Sequence, residues 1–516
     1  MPASPSSVVT LDRIPVRAAP GDRGAAARRT ISTVLSWLVL LAGGAVVLAH
    51  FGLITGGSWG ADEYVNFNLW RIEGVRAVIV RVLGWSPRPS SELALYLYSL
   101  AIEASQKPLI TPFLAVAWLS LIGSAVLASR RPYRPGVLSR GAVVATVLAL
   151  FLLGHQTFMI FYWPMGVAPY MLTLLGILVV TFQTIGSDAP APQGRPAWAI
   201  GLAIAGTSSE LGMFFVIGYA GCLILLDGRR FLRNGAPTLR SAAWYLVPLG
   251  ITLLMIGLII RVVLTDPTRG LGHDSPYHHH LGASAVAAFR FFFHQFAIGD
   301  DTPGGLDATD SLIVSVLMVV GFAWGTRSAV WGRFRPRLIV PLLSGLLACY
   351  WIGLFASYYE YGTQEHEPHI GFRRCLSVLI VLVLARLAAA VWETRVKALQ
   401  VIGPAALLAA LTIGGVARSD VLLEDYRAVP VIRAARDATW ESARDPTSDI
   451  LQFHVAVPGG ILSGAIPFPP GVFDVYAPDT PWWMKGIMIF FDKPQLEFTL
   501  MPTGRIWPPV RKGAGT

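Results

Sequence analysis

The residues best placed to do chemistry are in Trp59-Gly60-Ala61-Asp62-Glu63-Tyr64, just beyond the first long apolar run, about Ile31 to Ile54. Two adjacent acids at the mouth of a membrane span are costly. A carboxylate at the bilayer centre is disfavoured by roughly 2.5–3.5 kcal/mol on insertion scales. A chain that keeps such a pair near the hydrocarbon boundary needs a wet cavity to receive it, for ion binding, proton movement or catalysis. The plain alternative is a solvated loop start.

Three further stretches carry polar or aromatic groups beside apolar runs. His155 to Gly166 is an aromatic turn containing Tyr162 and Trp163, suited to an interfacial belt or to lining a substrate. Thr207-Ser208-Ser209-Glu210 joins two short apolar pieces and brings another acid to a helix break. Tyr358 to His369 includes Glu365 and His366 and precedes Gly371-Phe372-Arg373-Arg374. His278-His279-His280, near His273 and Asp274, does not make a zinc site by itself, because neighbouring side chains diverge while tetrahedral sites converge.

The elements that must position these groups follow from composition. The 516 residues are 54% hydrophobic and 14% charged. Soluble domains carry about 25% charged residues, so the chain reads as a polytopic membrane protein. The net charge of +10 does not point to nucleic acid, because the arginines cluster in short linkers between apolar runs as the positive-inside rule requires. Cys222, Cys349 and Cys375 all fall within apolar runs, which argues against a disulfide framework.

Read in order, residues 1–30 form a disordered cytoplasmic N-terminus. The spans begin near Ile31, Pro108, Gly141, Ala168, Ala197, Leu211, Ala242, Ser311, Leu338, Cys375 and Ala398. Outer loop 62–107 carries interfacial helices broken at Pro87 and Pro89. The expected fold is an all-α polytopic membrane protein of about eleven transmembrane helices over residues 31–416, with a small extracytoplasmic α/β or β-rich domain at 417–516. The N-terminus lies inside and the C-terminus outside. Arg373 and Arg374 break the inside rule, which suggests an anionic partner, since guanidiniums bind phosphate oxygens bidentately.

Asp62-Glu63 after the first helix, the interfacial helices that follow, Tyr162-Trp163 with Gly166 and Tyr170, and Ser209-Glu210 at a helix break together resemble the GT-C superfamily of polyprenyl-phosphate-sugar-dependent membrane glycosyltransferases, in an uncharacterised bacterial branch. The likeness covers the body through about residue 416. It implies transfer of a sugar from a polyprenyl-phosphate donor to a cell-envelope glycan or lipid acceptor, on the outer face of the bacterial cytoplasmic membrane. Asp62 would be the general base, with Glu63 orienting it or joining it in holding a divalent cation such as Mg or Mn. Arg373, Arg374 and His369 would bind the donor phosphate. Tyr162, Trp163, Tyr170, Glu210, Glu365 and His366 would line the cavity. No tryptophan–aspartate motif of the oligosaccharyltransferases is present, which disfavours protein N-glycosylation.

Two other readings stay open. A lipid-linked-sugar transporter or flippase would place ionisable groups at mid-membrane and often shows repeat symmetry; here the acids gather at one mouth. An O-antigen ligase or polymerase would use a large outer loop with histidine and arginines, and His273 to His280 suits that.

Overall fold

A computed structural model describes residues 23–130, 136–154, 157–186, 196–234, 236–265, 280–297, 308–331, 334–361, 367–392, 398–456, 458, 460–462 and 470–503. The first helix, α1 (Arg23–Gly52), ends in a 3-10 turn (Leu53–Gly56). Three helices follow outside the bundle: α2 (Ala61–Glu73), α3 (Val75–Gly84) and α4 (Pro89–Ser105). The bundle then continues through α5 (Ile110–Ser129), α6 (Val137–Leu152), the single turns α7 (Phe158–Phe161) and α8 (Pro164–Gly166), a π turn (Val167–Met171), α9 (Leu172–Ile185), α10 (Pro196–Ser208), α11 (Glu210–Asn234) and α12 (Ala236–Thr265). After α13 (Leu281–Ala297) come α14 (Ala308–Gly325), the turn α15 (Ser328–Trp331), α16 (Pro336–Tyr361), α17 (Glu367–Trp392) and α18 (Leu399–Arg444).

Every one of the eleven apolar runs read from the sequence is helical, yet only eight helices among the described residues are long and apolar enough to cross a membrane. Eight is the count those helices support by length and composition, three short of the eleven expected. α10 has 13 residues and α6 has 16, and the apolar part of α14 runs only from Leu312 to Gly325. An upright span needs about 20 residues. These shorter helices pack against longer neighbours, α10 on α9 and α12, α6 on α1, and α14 on α18.

The bundle has two unlike ends. At one, α6 and α17 meet the turn α15: Arg140 donates to the Val330 carbonyl at 2.8 Å, and Arg386 reaches the Ser328 hydroxyl at 3.5 Å. The other end gathers α2–α4, the α7–α8 turn, the α10–α11 break and the C-terminal segment.

That segment begins without a boundary. The sequence suggests a span ending at 416 and a separate helix over 420–443, but α18 runs unbroken for 46 residues, through Pro404 and Pro430. At 1.5 Å per residue it is about 69 Å long, more than twice a hydrocarbon core of about 30 Å. Beyond it lie β1 (Ile450–Ala456), β2 (Val472–Asp474), α19 (Trp482–Phe491) and β3 (Gln495–Met501). The sheet order is β1-β3-β2, with β1 parallel and β2 antiparallel to β3. Leu451, Phe453 and Val455 alternate inward along β1, as period-2 packing demands. The free edge of β1 is closed by α18: Thr439 and Ser442 hydroxyls accept from the His454 and Gln452 amides at 2.8 and 2.9 Å.

Candidate active site at the start of helix α2

Asp62 and Glu63 share the first turn of α2, where the helix dipole favours acids, but their surroundings differ completely. Glu63 is fully buried. Its Oε2 accepts from the Gly60 amide at 2.8 Å, a helix-capping contact, and from Trp163 Nε1 at 2.9 Å. Its Oε1 accepts from the Met165 amide at 3.1 Å. Burial pushes its pKa up to about 8, against the pull of the Trp163 and Met165 donors and with a further push from Asp62. Glu63 therefore ties α2 to the α7–α8 turn. The shared-cation role expected of it does not fit, because neither oxygen is reachable from solvent and both face N–H donors. No group of three or more His, Cys, Asp or Glu suited to a metal occurs among the described residues.

Gly60 is required for this tie. A Cβ there would stand 2.9 Å from Trp163 Nε1 and displace the indole from Glu63.

Asp62 is half-buried, and its carboxylate makes no hydrogen bond or ion pair among the described residues. Its backbone carbonyl accepts from Asn66 Nδ2 at 2.8 Å, so the turn is held while the side chain stays uncommitted. Burial raises its pKa, and the positive charge of Arg81 partly opposes that rise. Arg81 in turn grips Glu92 through Nε at 2.8 Å and Nη2 at 3.2 Å, with its guanidinium 5.8 Å from the Trp70 ring centroid.

A second arginine fork stitches α4 to the α10–α11 break. Arg88 holds Glu210 through Nε at 2.8 Å and Nη2 at 2.7 Å. Beside it the Ser90 and Thr207 hydroxyls meet at 2.7 Å, and the Ser91 hydroxyl donates to the Ser208 carbonyl at 3.1 Å. Glu210 is thus a tie rather than a free acid on a cavity wall. Tyr162, also expected to line the cavity, is fully buried, with its hydroxyl 2.9 Å from His50 Nδ1 and 3.1 Å from the His50 carbonyl. Tyr170 is buried against Phe372, their ring centroids 6.0 Å apart. Of the expected aromatic lining, Trp163 alone is half-exposed.

The two arginines expected to bind the donor phosphate differ in burial. Arg373 is 1% exposed, buried in α17 beside Tyr350 and Tyr358. Arg374 is half-buried, its aliphatic stem against Gly154. The cation whose charge reaches Asp62 is Arg81. His369 is in the first turn of α17, and its side chain lies outside the described part of the structure; Glu365 and His366 lie outside the described residues altogether. Sequence reading missed Arg81, Glu92 and Arg88, although Glu92 in the first turn of α4 was a visible sign of an acid near a helix N-terminus.

No family model, curated protein or solved structure matches this chain.

Proposed function

We propose that the chain is a membrane glycosyltransferase of the GT-C kind, moving a sugar from a polyprenyl-phosphate donor to a cell-envelope glycan or lipid acceptor at the outer face of a bacterial cytoplasmic membrane. The observation that carries this reading is the contrast at α2. Glu63, Glu92 and Glu210 are all committed to donors, while the Asp62 carboxylate is uncommitted and beside a cation.

In the proposed reaction the acceptor hydroxyl oxygen attacks the anomeric carbon and its proton passes to the Asp62 carboxylate. The bond from the anomeric carbon to the phosphate oxygen breaks, and its electron pair leaves with the lipid phosphate. Arg81 takes the part first assigned to Arg373. Its Nε and Nη2 hold Glu92, and its Nη1 has no hydrogen-bond partner among the described residues and can meet a phosphate oxygen. The raised pKa of Asp62 makes its carboxylate a stronger base than an ordinary aspartate's.

The test is transfer from a labelled polyprenyl-phosphate sugar in membranes containing the full chain. Asp62→Asn should lose roughly 10²–10⁴-fold in rate, the usual worth of a general base, with expression and donor binding retained. Asp62→Glu should recover part of the loss. An Asn variant transferring sugar at the unaltered rate would remove Asp62 from the chemistry.

A further inference from the structure

A second hollow stands apart from Asp62. Between the Gly56–Trp59 turn, the upper half of α18 and strand β1 lies an open cleft of about 700 Å³ of empty space, counted to its mouth. Four aromatic side chains line it, Trp59, Tyr64, Trp440 and Phe453, together with Ile432 and Val455. Asp62 is not among the lining residues. Walls of this kind favour an occupant that buries rings and carbon rather than charge.

The chain carries such a segment, and the sheet delivers it to the cleft. β1 and β3 run parallel, with Ala456, in the cleft wall, opposite Met501, the last residue of β3. Neighbouring strands lie about 4.8 Å apart. The chain therefore leaves β3 beside this wall and not at the far end of the sheet. Residues 504–516 lie outside the described residues; their sequence opens Gly504-Arg505-Ile506-Trp507-Pro508-Pro509-Val510-Arg511-Lys512. The step from Thr503 to Trp507 spans about 13 Å of extended chain, enough to round the end of β1 and enter the cleft.

Composition fits the walls. Ile506 to Val510 is an unbroken apolar run with basic residues on both sides. Proline has no N–H, so Pro508 and Pro509 bring no backbone donor that an apolar wall would leave unsatisfied. Consecutive prolines favour the polyproline conformation, which aromatic-lined grooves bind at low entropic cost. We infer that Ile506–Val510 docks in the cleft between α18 and β1 of its own chain, with the Trp507 ring among the aromatic side chains and Pro508-Pro509 along them. Docked there, the segment braces the Gly57–Trp59 turn that leads into α2. The contact lies within the chain and does not depend on the role given to Asp62.

The experiment is binding of a fluorescein-labelled Gly504–Lys512 peptide to the purified full chain in detergent, followed by fluorescence anisotropy. The unaltered chain's own segment competes at an effective concentration on the order of millimolar, so it should take up the peptide weakly. The full-length Trp507→Ser variant should bind the peptide saturably and roughly 10-fold or more tightly than the unaltered chain does. A peptide carrying Trp507→Ser should bind that variant roughly 10- to 30-fold more weakly, the worth of a buried aromatic anchor. This arm alters nothing in the protein's fold. Adding Ala456→Phe, which fills the cleft from β1, should weaken binding of the original peptide by a similar factor. No saturable binding, equal binding by the unaltered and Trp507→Ser chains, or unaltered affinity with the Ser peptide or Ala456→Phe would each overturn the inference. So would a dimer of the unaltered chain that Trp507→Ser disperses, because the segment would then be docking on a second copy.

Discussion

Three arginine forks on one end of this molecule divide into two regions. Where α3 and α4 meet the α10–α11 break, Arg81 and Arg88 are filled by Glu92 and Glu210. Where α18 meets β1, the same edge of Arg436 is empty. One filled fork joins α3 to α4, and the other holds α4 against the bundle at α11. The third holds only a turn, through Nη1, and its Nε is buried with no hydrogen-bond partner among the described residues. Identical side-chain chemistry thus joins helices in one region and steadies a single turn in the other.

The comparison breaks most sharply at Glu92, whose side chain is 4% exposed in its pair with Arg81. Glu92→Ala leaves a buried guanidinium uncompensated and should cost about 3–5 kcal/mol, read as a large fall in the melting temperature of the detergent-solubilised protein. A Glu92→Ala protein as stable as the unaltered one would mean that the fork is ornamental.

Glu63 gives the next effect, seen against pH. Burial holds its pKa above the ordinary carboxylate value, so the folded chain binds this proton more tightly than the unfolded chain does. Its contribution to stability is full below the unfolded carboxylate range and is lost as pH rises through about 8. Melting temperature should therefore fall between about pH 5 and pH 9, and Glu63→Gln should flatten that slope. A slope unchanged in the Gln variant would assign it to other groups.

Glu210 and Arg88 are each about a quarter exposed on their side chains, and solvent screens them. Glu210→Gln keeps one acceptor and should cost about 1 kcal/mol. A loss as large as that of Glu92→Ala would show the α10–α11 break to be the weaker seam. Smallest of all should be the stability change in Arg436→Gln, about 1 kcal/mol or less for one lost bond to the Gly57 carbonyl, read as melting temperature.

Much of the helical framework is legible in the sequence, because apolar runs of sufficient length have few other ways to satisfy their backbone. The acidic turn and the helix break at Glu210 are also found where the residues suggest. What is not legible is pairing. Arg88 and Glu210 are 122 residues apart, and Trp163 meets Glu63 across 100. Nothing local tells which of two adjacent acids is swallowed by donors and which is left open. Arg373 misleads for a related reason: a positive charge near a span end looks like a surface feature until the helix rotation buries it. The continuation of α18 past 416 is likewise not legible locally: Gly414 packs against Leu153 within a helix that runs on to Arg444.

The length of α18 has a mechanical consequence. Proline cannot donate to the carbonyl one turn back, so Pro430 weakens the ladder at Tyr426, whose hydroxyl is fixed to the Ala49 carbonyl of α1 at 2.5 Å. Below that point the rod is clamped. Above it, the 14 residues to Arg444 form a lever of about 21 Å, carrying Arg436, Trp440 and the strand bound to Thr439 and Ser442. Arg436, donating to the Gly57 carbonyl at 3.1 Å, and Arg444, donating to the Gln106 carbonyl at 2.7 Å, tie that lever back, so a tilt at Pro430 must break both bonds before its tip moves.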